Sequence, residues 1–336
     1  MTDCIYTDCI HTIYNNKATP MDLMQSLSLS QVTNGRASGD YAGGGNWNIG
    51  AGALLWSALG LKPSKDNFWT SFNEPYPAEF HPNGNDHNST EVHAIAAIMS
   101  CGPTGIGDGA GYSNATLIMR LCRADGRLLQ PIRPITAIDD QFMEGVFNGN
   151  SINVWSTEFG ALEENDNVNI IGHIIYAIDM KNDYMLTYDS FTPVLDAGFG
   201  YIVRNWHNYT NCKNGTLAVQ NECVQLVKAN SKVLYTLSPQ TVIEPMIESF
   251  ELVQVFIDVS LTEIVFLGEL DKYVSVSQHR FSNLMVQGLS LSVEVRGEVK
   301  EEVNVSILKP APGGTDWNVY TYQVVIGADG MTQFNF

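Results

Sequence analysis

Residues 289–296 read LSLSVEVR, in which leucine or valine alternates strictly with serine, glutamate or arginine. Because a period of two places successive side chains on opposite faces, this stretch predicts a β-strand with one buried face. Residues 303–307 repeat the alternation, and residues 252–259 and 319–326 are rich in β-branched and aromatic residues. Several such strands separated by turn residues predict an antiparallel β-sandwich over residues 146–336.

The first 145 residues have a different sequence pattern. Residues 50–60, GAGALLWSALG, predict a compact apolar helix. From Val92 onward, apolar residues fall at i, i+3, i+4 and i+7, which predicts an amphipathic helix. A glycine-rich turn over residues 102–111 leads to a further helix predicted over about 114–124. Helix, short strand, helix, turn and helix is the order of βα units, so we expect an α/β fold over residues 1–145.

Composition limits the classes of partner. Of 336 residues, 44% are hydrophobic and 16% are charged, as in a globular protein. The 36 acidic and 18 basic residues give a formal net charge of −18, which repels nucleic acid and anionic membranes. No run approaches the roughly 18 apolar residues that a membrane helix needs. We therefore expect neither nucleic acid nor membrane as partner, whereas neutral carbohydrates are compatible with this charge.

The N-terminus and the cysteines leave the compartment open. Residues 1–16 contain two aspartates and no apolar core, so they do not form a signal peptide. A secreted or lysosomal location would require a signal peptide at the native N-terminus. Cys101 and Cys122 lie in apolar helical stretches and are predicted to be buried thiols, whereas Cys212 and Cys223 are close enough in sequence to bridge a short loop.

The stretch that best indicates chemistry is residues 34–48, NGRASGDYAGGGNWN. Arg36 and Asp40 lie four residues apart in a glycine-dense loop with Tyr41 and Trp47, immediately before a predicted helix. Loops at the carboxyl ends of barrel strands carry the catalytic residues of barrel enzymes, and sugar rings stack on aromatic faces. The stretch predicts a sugar site, and the alternative is a plain surface ion pair in an interaction module.

The segment Arg36–Asp40 resembles the Arg-x-x-x-Asp segment of retaining α-galactosidases and the related raffinose synthases. The resemblance continues in order through residues 64–69, then Gly102-Pro103 with Asp108, then residues 125–139. It covers roughly residues 30–140. The family pattern implies that residues 1–145 are the C-terminal part of a (β/α)8 (TIM) barrel, followed by an all-β domain over residues 146–336.

The same resemblance implies roles for individual residues. Asp40 would be the general acid/base, and Arg36 would hold the substrate and the carboxylates. Tyr41, Trp47 and Asp108 would contact the sugar. The resemblance implies no cofactor and no metal, and it leaves the sugar and its linkage open.

One departure from the family pattern bears on activity. The family's nucleophilic Asp, in a Lys-x-Asp strand, lies upstream of the Arg-x-x-x-Asp segment, and no such motif occurs among the 35 residues before Arg36. Retaining hydrolysis needs two carboxyl groups about 5–5.5 Å apart, and a closed barrel needs about 200 residues or more. We therefore expect a fragment that is inactive alone and needs the missing N-terminal barrel half. The alternative is a non-catalytic carbohydrate-binding or structural protein descended from a glycosidase.

Two further patterns are interpreted as structural. Residues 105–110 fit a dinucleotide-binding pattern, but a predicted helix rather than a strand precedes them, which argues against a nucleotide cofactor. His81, His87 and His93, with Asp86, have neighbours typical of a loop that leads into a helix, so solvated loop histidines are favoured over metal ligands.

Overall fold

The computed structural model describes residues 12–13, 32–38, 49–71, 90–147, 152–191, 194–208, 224–239, 250–258, 264–310 and 317–336. The described part of the chain is mainly β, with 42% of its residues in strands and 15% in helices. Helices in the described part are α1 (Gly50–Ala58), α2 (Thr90–Met99), α3 (Ala115–Met119) and α4 (Asp139–Phe147). None of these four is long and apolar enough to cross a membrane.

The strands are numbered along the chain. They are β1 (Thr12–Ile13), β2 (Asn34–Arg36), β3 (Lys62–Ser64), β4 (Thr136–Ala137), β5 (Val154–Leu162), β6 (Val168–Ile178), β7 (Tyr184–Leu186), β8 (Gly200–Asn205), β9 (Gln225–Val227), β10 (Tyr235–Leu237), β11 (Phe250–Asp258), β12 (Val265–Gly268), β13 (Phe281–Gln287), β14 (Ser290–Arg296), β15 (Glu302–Pro310), β16 (Trp317–Val325) and β17 (Met331–Asn335).

The predicted α/β class, with part of a TIM barrel over residues 1–145, is wrong. A barrel portion would need more helices than the four short ones observed, and the class is mainly all-β. The parallel strands β1, β2 and β3 span only two or three residues each, against about five or six for an ordinary strand. After α2 the chain continues through turns and isolated bridges, Phe68 with Ile106 and Cys122 with Leu128, in place of further long parallel strands.

Two sheets contain most of the described strands. The larger sheet, as described, has the order β17-β14-β13-β5-β6-β11-β8-β9, with β4 also paired to β5. Its neighbours are antiparallel except β13 and β5, which meet in parallel at one position, Ser282 opposite Leu162. The smaller sheet, β12-β15-β16, is antiparallel and shares a hydrophobic core with the larger one.

The middle of the larger sheet is buried on both faces. On β6, Ile174 and Tyr176 belong to the core shared with the smaller sheet. Ile175 and Ala177 point the other way, into a second core that contains Leu186 of β7. Because both faces exclude water, β6 needs apolar residues at consecutive positions, and its sequence VNIIGHIIYAI lacks the polar alternation of β14.

Polar contacts fasten the helical segments to the sheets. The Glu91 carboxylate on α2 accepts hydrogen bonds at one oxygen, Oε1, from Arg120 (2.7 Å), Trp206 (3.1 Å) and Tyr273 (2.9 Å). Trp206 and Tyr273 lie in the β-rich part of the chain and are buried. The three donors satisfy the carboxylate where water is partly excluded, so they fix the start of α2 against the sheets.

Candidate functional site

The carboxyl ends of β2 and β3 bring together four polar residues, which we call the strand-end cluster: Arg36, Ser38, Lys65 and Asp66. In the parallel pairing of these strands Arg36 lies opposite Ser64. Residues that follow either strand therefore emerge at the same edge of the sheet. In open parallel sheets that edge is where ligands bind.

The Arg36 side chain is held from two directions. Its Nη1 atom lies 3.4 Å from Asp66 Oδ1, and its Nε atom donates a hydrogen bond to the Ser38 carbonyl at 3.1 Å. The backbone N–H of Asp66 donates to Ser38 Oγ at 2.8 Å, which ties the two strand ends together. Arg36 is only 9% exposed, so its charge is retained by this pairing rather than by bulk water.

Helix α1 fixes the position of β2 beneath the cluster. A Cβ atom added to Gly35 would lie 2.5 Å from the Trp56 ring, so glycine is required for the indole to pack against β2. The indole Nε1 of Trp56 donates to the carbonyl of Arg36 at 3.3 Å. Trp56 is fully buried and Phe68 is 1% exposed, so both are core residues.

A second cation lies in the same cluster. Lys65 is 4% exposed, its ammonium donates to the Asp66 carbonyl at 3.3 Å, and it lies 5.4 Å from the centre of the Phe68 ring. His93 is buried on α2, and burial, together with the positive charge of Lys65, lowers the pKa of this imidazole to about 2. At neutral pH His93 is therefore uncharged. Within the strand-end cluster, the positively charged side chains are those of Lys65 and Arg36.

Asp108 serves a structural purpose in the glycine-rich turn. Its Oδ1 accepts from the Thr70 backbone N–H at 2.7 Å, and its Oδ2 accepts from the Thr70 hydroxyl at 2.5 Å. The same hydroxyl oxygen accepts from the Asn114 N–H at 2.7 Å, at the start of α3. Asp108 thus fastens the turn to the segment after β3, and its predicted contact with sugar stays a prediction.

The structure places only part of the predicted site. Arg36 lies at the strand ends, as its position before the glycine-rich loop suggested, while Asp40, Tyr41 and Trp47 lie outside the described residues. Sequence reasoning missed Asp66 as the partner of Arg36. The available signal was the charged pair Lys65-Asp66 directly after a short extended piece, at the edge where parallel strands place functional side chains.

Metal ligands are not gathered in the described ranges. No group of three or more His, Cys, Asp or Glu side chains there lies close enough to hold a metal ion. His93 is buried in α2, and His81, Asp86 and His87 fall outside those ranges.

The chain matches no protein-family model and no curated protein. The likeness to α-galactosidases thus rests on the quoted residues alone.

Proposed function

We propose that this protein binds α-galactoside-type sugars at the strand-end cluster, as a relative of the retaining glycoside hydrolases. Arg36 would position the sugar and the carboxylates, and Asp40 would act as general acid/base. The observation that supports this most directly is the buried Arg36 guanidinium, aimed by Asp66 and Ser38 at the carboxyl end of β2.

The sequence separation limits how far Asp40 can lie from this guanidinium. Four residues span at most about 14 Å when fully extended, so the Asp40 backbone lies within that distance of Arg36. Residues 39–48, which include Asp40, Tyr41 and Trp47, connect two fixed points, because Ser38 accepts from Asp66 and Ile49 lies buried at the start of α1. The proposal requires that the Asp40 carboxylate and the Tyr41 and Trp47 rings reach a sugar bound at the strand-end cluster.

The chemistry available to one carboxylate is limited. Asp40 as an acid can protonate the leaving glycosidic oxygen, and as a base it can deprotonate water. Formation of a glycosyl-enzyme intermediate needs a second carboxylate on the other side of the anomeric carbon. Asp66 is engaged with Arg36 and is not assigned that role. We therefore propose sugar binding by this chain alone, with turnover dependent on a nucleophile from a partner.

A second candidate is a purely carbohydrate-binding protein. The specific observation in its favour is that Asp66, the carboxylate at the described strand ends, is engaged with Arg36. The two candidates share the binding site and differ only in whether any partner restores hydrolysis.

The test is calorimetric titration of the protein with methyl α-D-galactoside, with methyl α-D-glucoside as the sugar control. We expect saturable binding of the galactoside. The affinity should fall by roughly tenfold or more in Arg36→Lys, because a single ammonium charge replaces the planar guanidinium with its several hydrogen-bond donors. Asp40→Asn should weaken binding less and should abolish any turnover of p-nitrophenyl α-galactoside.

The matched control is Asp166→Asn, at an exposed position in the turn between β5 and β6. It makes the same chemical change away from the site and should bind as the wild type does. Absence of saturable binding to the galactoside, or equal affinity in the Arg36 variant and the control, would refute the proposal. Binding with no turnover under any condition would favour the purely binding candidate.

A further inference from the structure

A cavity of about 470 Å³ lies where the two sheets diverge, between the start of β6, the end of β11, β12 and β13. We call it the β6–β13 groove. Beside it, β13 pairs with β5 at one parallel position only, Ser282 opposite Leu162, and the pairing of β13 with β14 is irregular between Ser282 and Met285. The lining residues are Asn169, Ile170, Ile171, Ile257, Ile264, Val265, Phe266, Leu284, Met285, Val286 and Gln287.

The size of the groove separates it from an ordinary packing defect. Dry cavities made by truncating a core side chain are of the order of 150 Å³, whereas small-molecule sites measure about 300–1,000 Å³. The groove also reaches the surface, since Ile170 is 41% exposed and Met285 is 59% exposed. Large apolar side chains exposed at the rim of a concave site are typical of a binding surface, because covering them removes apolar area from water.

The lining chemistry points to the class of ligand. Nine of the eleven lining residues are apolar, and the other two, Asn169 and Gln287, are uncharged amides at exposed positions. Among the described residues that line the groove there is no lysine or arginine to neutralise an anionic head group, and the chain as a whole carries a formal net charge of −18. Met285 supplies a flexible side chain that can adapt to different shapes.

We propose that the β6–β13 groove binds a neutral amphiphile, with an alkyl chain along the apolar walls and an uncharged hydrogen-bonding head at Asn169 and Gln287. The amides offer both donors and acceptors to a hydroxyl or amide head. The proposal is independent of the sugar site at the strand-end cluster, since no residue is shared between them.

The first experiment uses N-phenyl-1-naphthylamine, an uncharged fluorophore that brightens in apolar surroundings, as the probe. We expect one saturable site per chain. At pH 8, 1-decanol should displace the probe at a roughly fivefold or more lower concentration than decanoate, because the carboxylate meets no cation in the groove and is repelled by the acidic chain. Equal or stronger displacement by decanoate would overturn the assignment of a neutral ligand.

Two matched variants locate the binding. Met285→Glu puts a charge on the groove wall, whereas Leu289→Glu makes a comparable change at a residue that is 62% exposed and not among the lining residues. We expect Met285→Glu to weaken probe binding by roughly tenfold or more, and Leu289→Glu to leave it within about twofold. Ile170→Glu repeats the test from β6, and circular dichroism confirms that each variant is folded.

Three outcomes would overturn the proposal. They are the absence of saturable probe binding, equal weakening by the charge at positions 285 and 289, and a groove already covered by a second copy of the chain. Sedimentation would reveal this last outcome. The wild type would then be a dimer that does not bind the probe, and Met285→Glu would be a monomer.

Discussion

Replacing His173 with glutamine is expected to flatten the dependence of folding stability on pH between pH 7.5 and 5.0. His173 lies on β6, 2% exposed, with its ring edge-on to Phe191 at a centroid distance of 5.1 Å. Its Nδ1 atom is buried without a hydrogen-bond partner. Burial lowers the pKa of this imidazole to about 4, with Glu158 opposing the shift and Arg133 adding to it.

The magnitude follows from proton linkage. In the unfolded chain the imidazole titrates near 6.5, so between pH 6.5 and 4 the unfolded state binds a proton that the folded state does not. Stability is therefore complete above pH 6.5 and is lost as the pH falls, by about 1.4 kcal/mol per pH unit for each such group. Acidification from pH 7.5 to 5.0 should thus remove about 2 kcal/mol through His173 alone.

The assay is urea unfolding at pH 7.5, 6.5, 5.5 and 5.0, followed by far-ultraviolet circular dichroism. The measured quantity is the change in unfolding free energy with pH, so any constant destabilisation by the substitution cancels. The His173→Gln variant should lose about 2 kcal/mol less than the wild type over this range. His93→Gln should give a similar difference, because the pKa of His93 is lowered to about 2. If the variants and the wild type lose the same free energy, the folded protein protonates these histidines at ordinary pH and the reasoning fails.

Three further outcomes are expected from local contacts. Gly102→Ala should cost about 3 kcal/mol in urea unfolding, because the new Cβ would lie 1.8 Å from the Pro63 carbonyl oxygen; a cost below 1 kcal/mol would mean that the backbone yields easily. Arg280→Met should destabilise the fold by about 3–5 kcal/mol, since it leaves the buried Glu269 and the partly buried Glu301 without this guanidinium partner; a neutral effect would show that those carboxylates take up protons instead. Cys101 should resist iodoacetamide at pH 8 until urea is added, because burial raises the pKa of its thiol to about 12; peptide mass mapping of native and unfolded samples decides this.

The β-strands were predictable because their signal is local. On β14, Leu291, Val293 and Val295 are buried while the residues between them are not, as the alternation of this stretch predicts. The helix predicted from Val92 onward is confirmed as α2, and Cys101 and Cys122 are confirmed as buried thiols. In each case the pattern within one segment determines which side faces water.

The fold class was not predictable from such patterns, because it depends on which segments pair. The order of helices and short extended pieces before residue 145 suggested βα units. The described residues include the βαβ unit β2-α1-β3, and α2 is followed by turns and the short helix α3. The glycine-rich segment 102–111 is a turn held by Asp108 and Thr70, and a single bridge joins Ile106 to Phe68. Pairing partners and strand lengths are set by distant residues, and no local period encodes them.

For the candidate site too, the sequence around a residue predicts where that residue lies but does not identify its distant partner. Arg36 could be placed at a strand end from its own neighbours, but its partner Asp66 follows the next strand, 30 residues later, and is identified only by the parallel register. The two strand ends and α1 between them suffice to hold the guanidinium, so the proposed sugar site requires one βαβ unit. A retaining reaction requires carboxylates on both sides of the sugar. Among the described residues this edge supplies one carboxylate, Asp66, which is engaged with Arg36, while Asp40 lies outside them. The proposal of sugar binding without turnover therefore requires that no second carboxylate faces Asp40 across the sugar, and hydrolysis of p-nitrophenyl α-galactoside by this chain alone would contradict it.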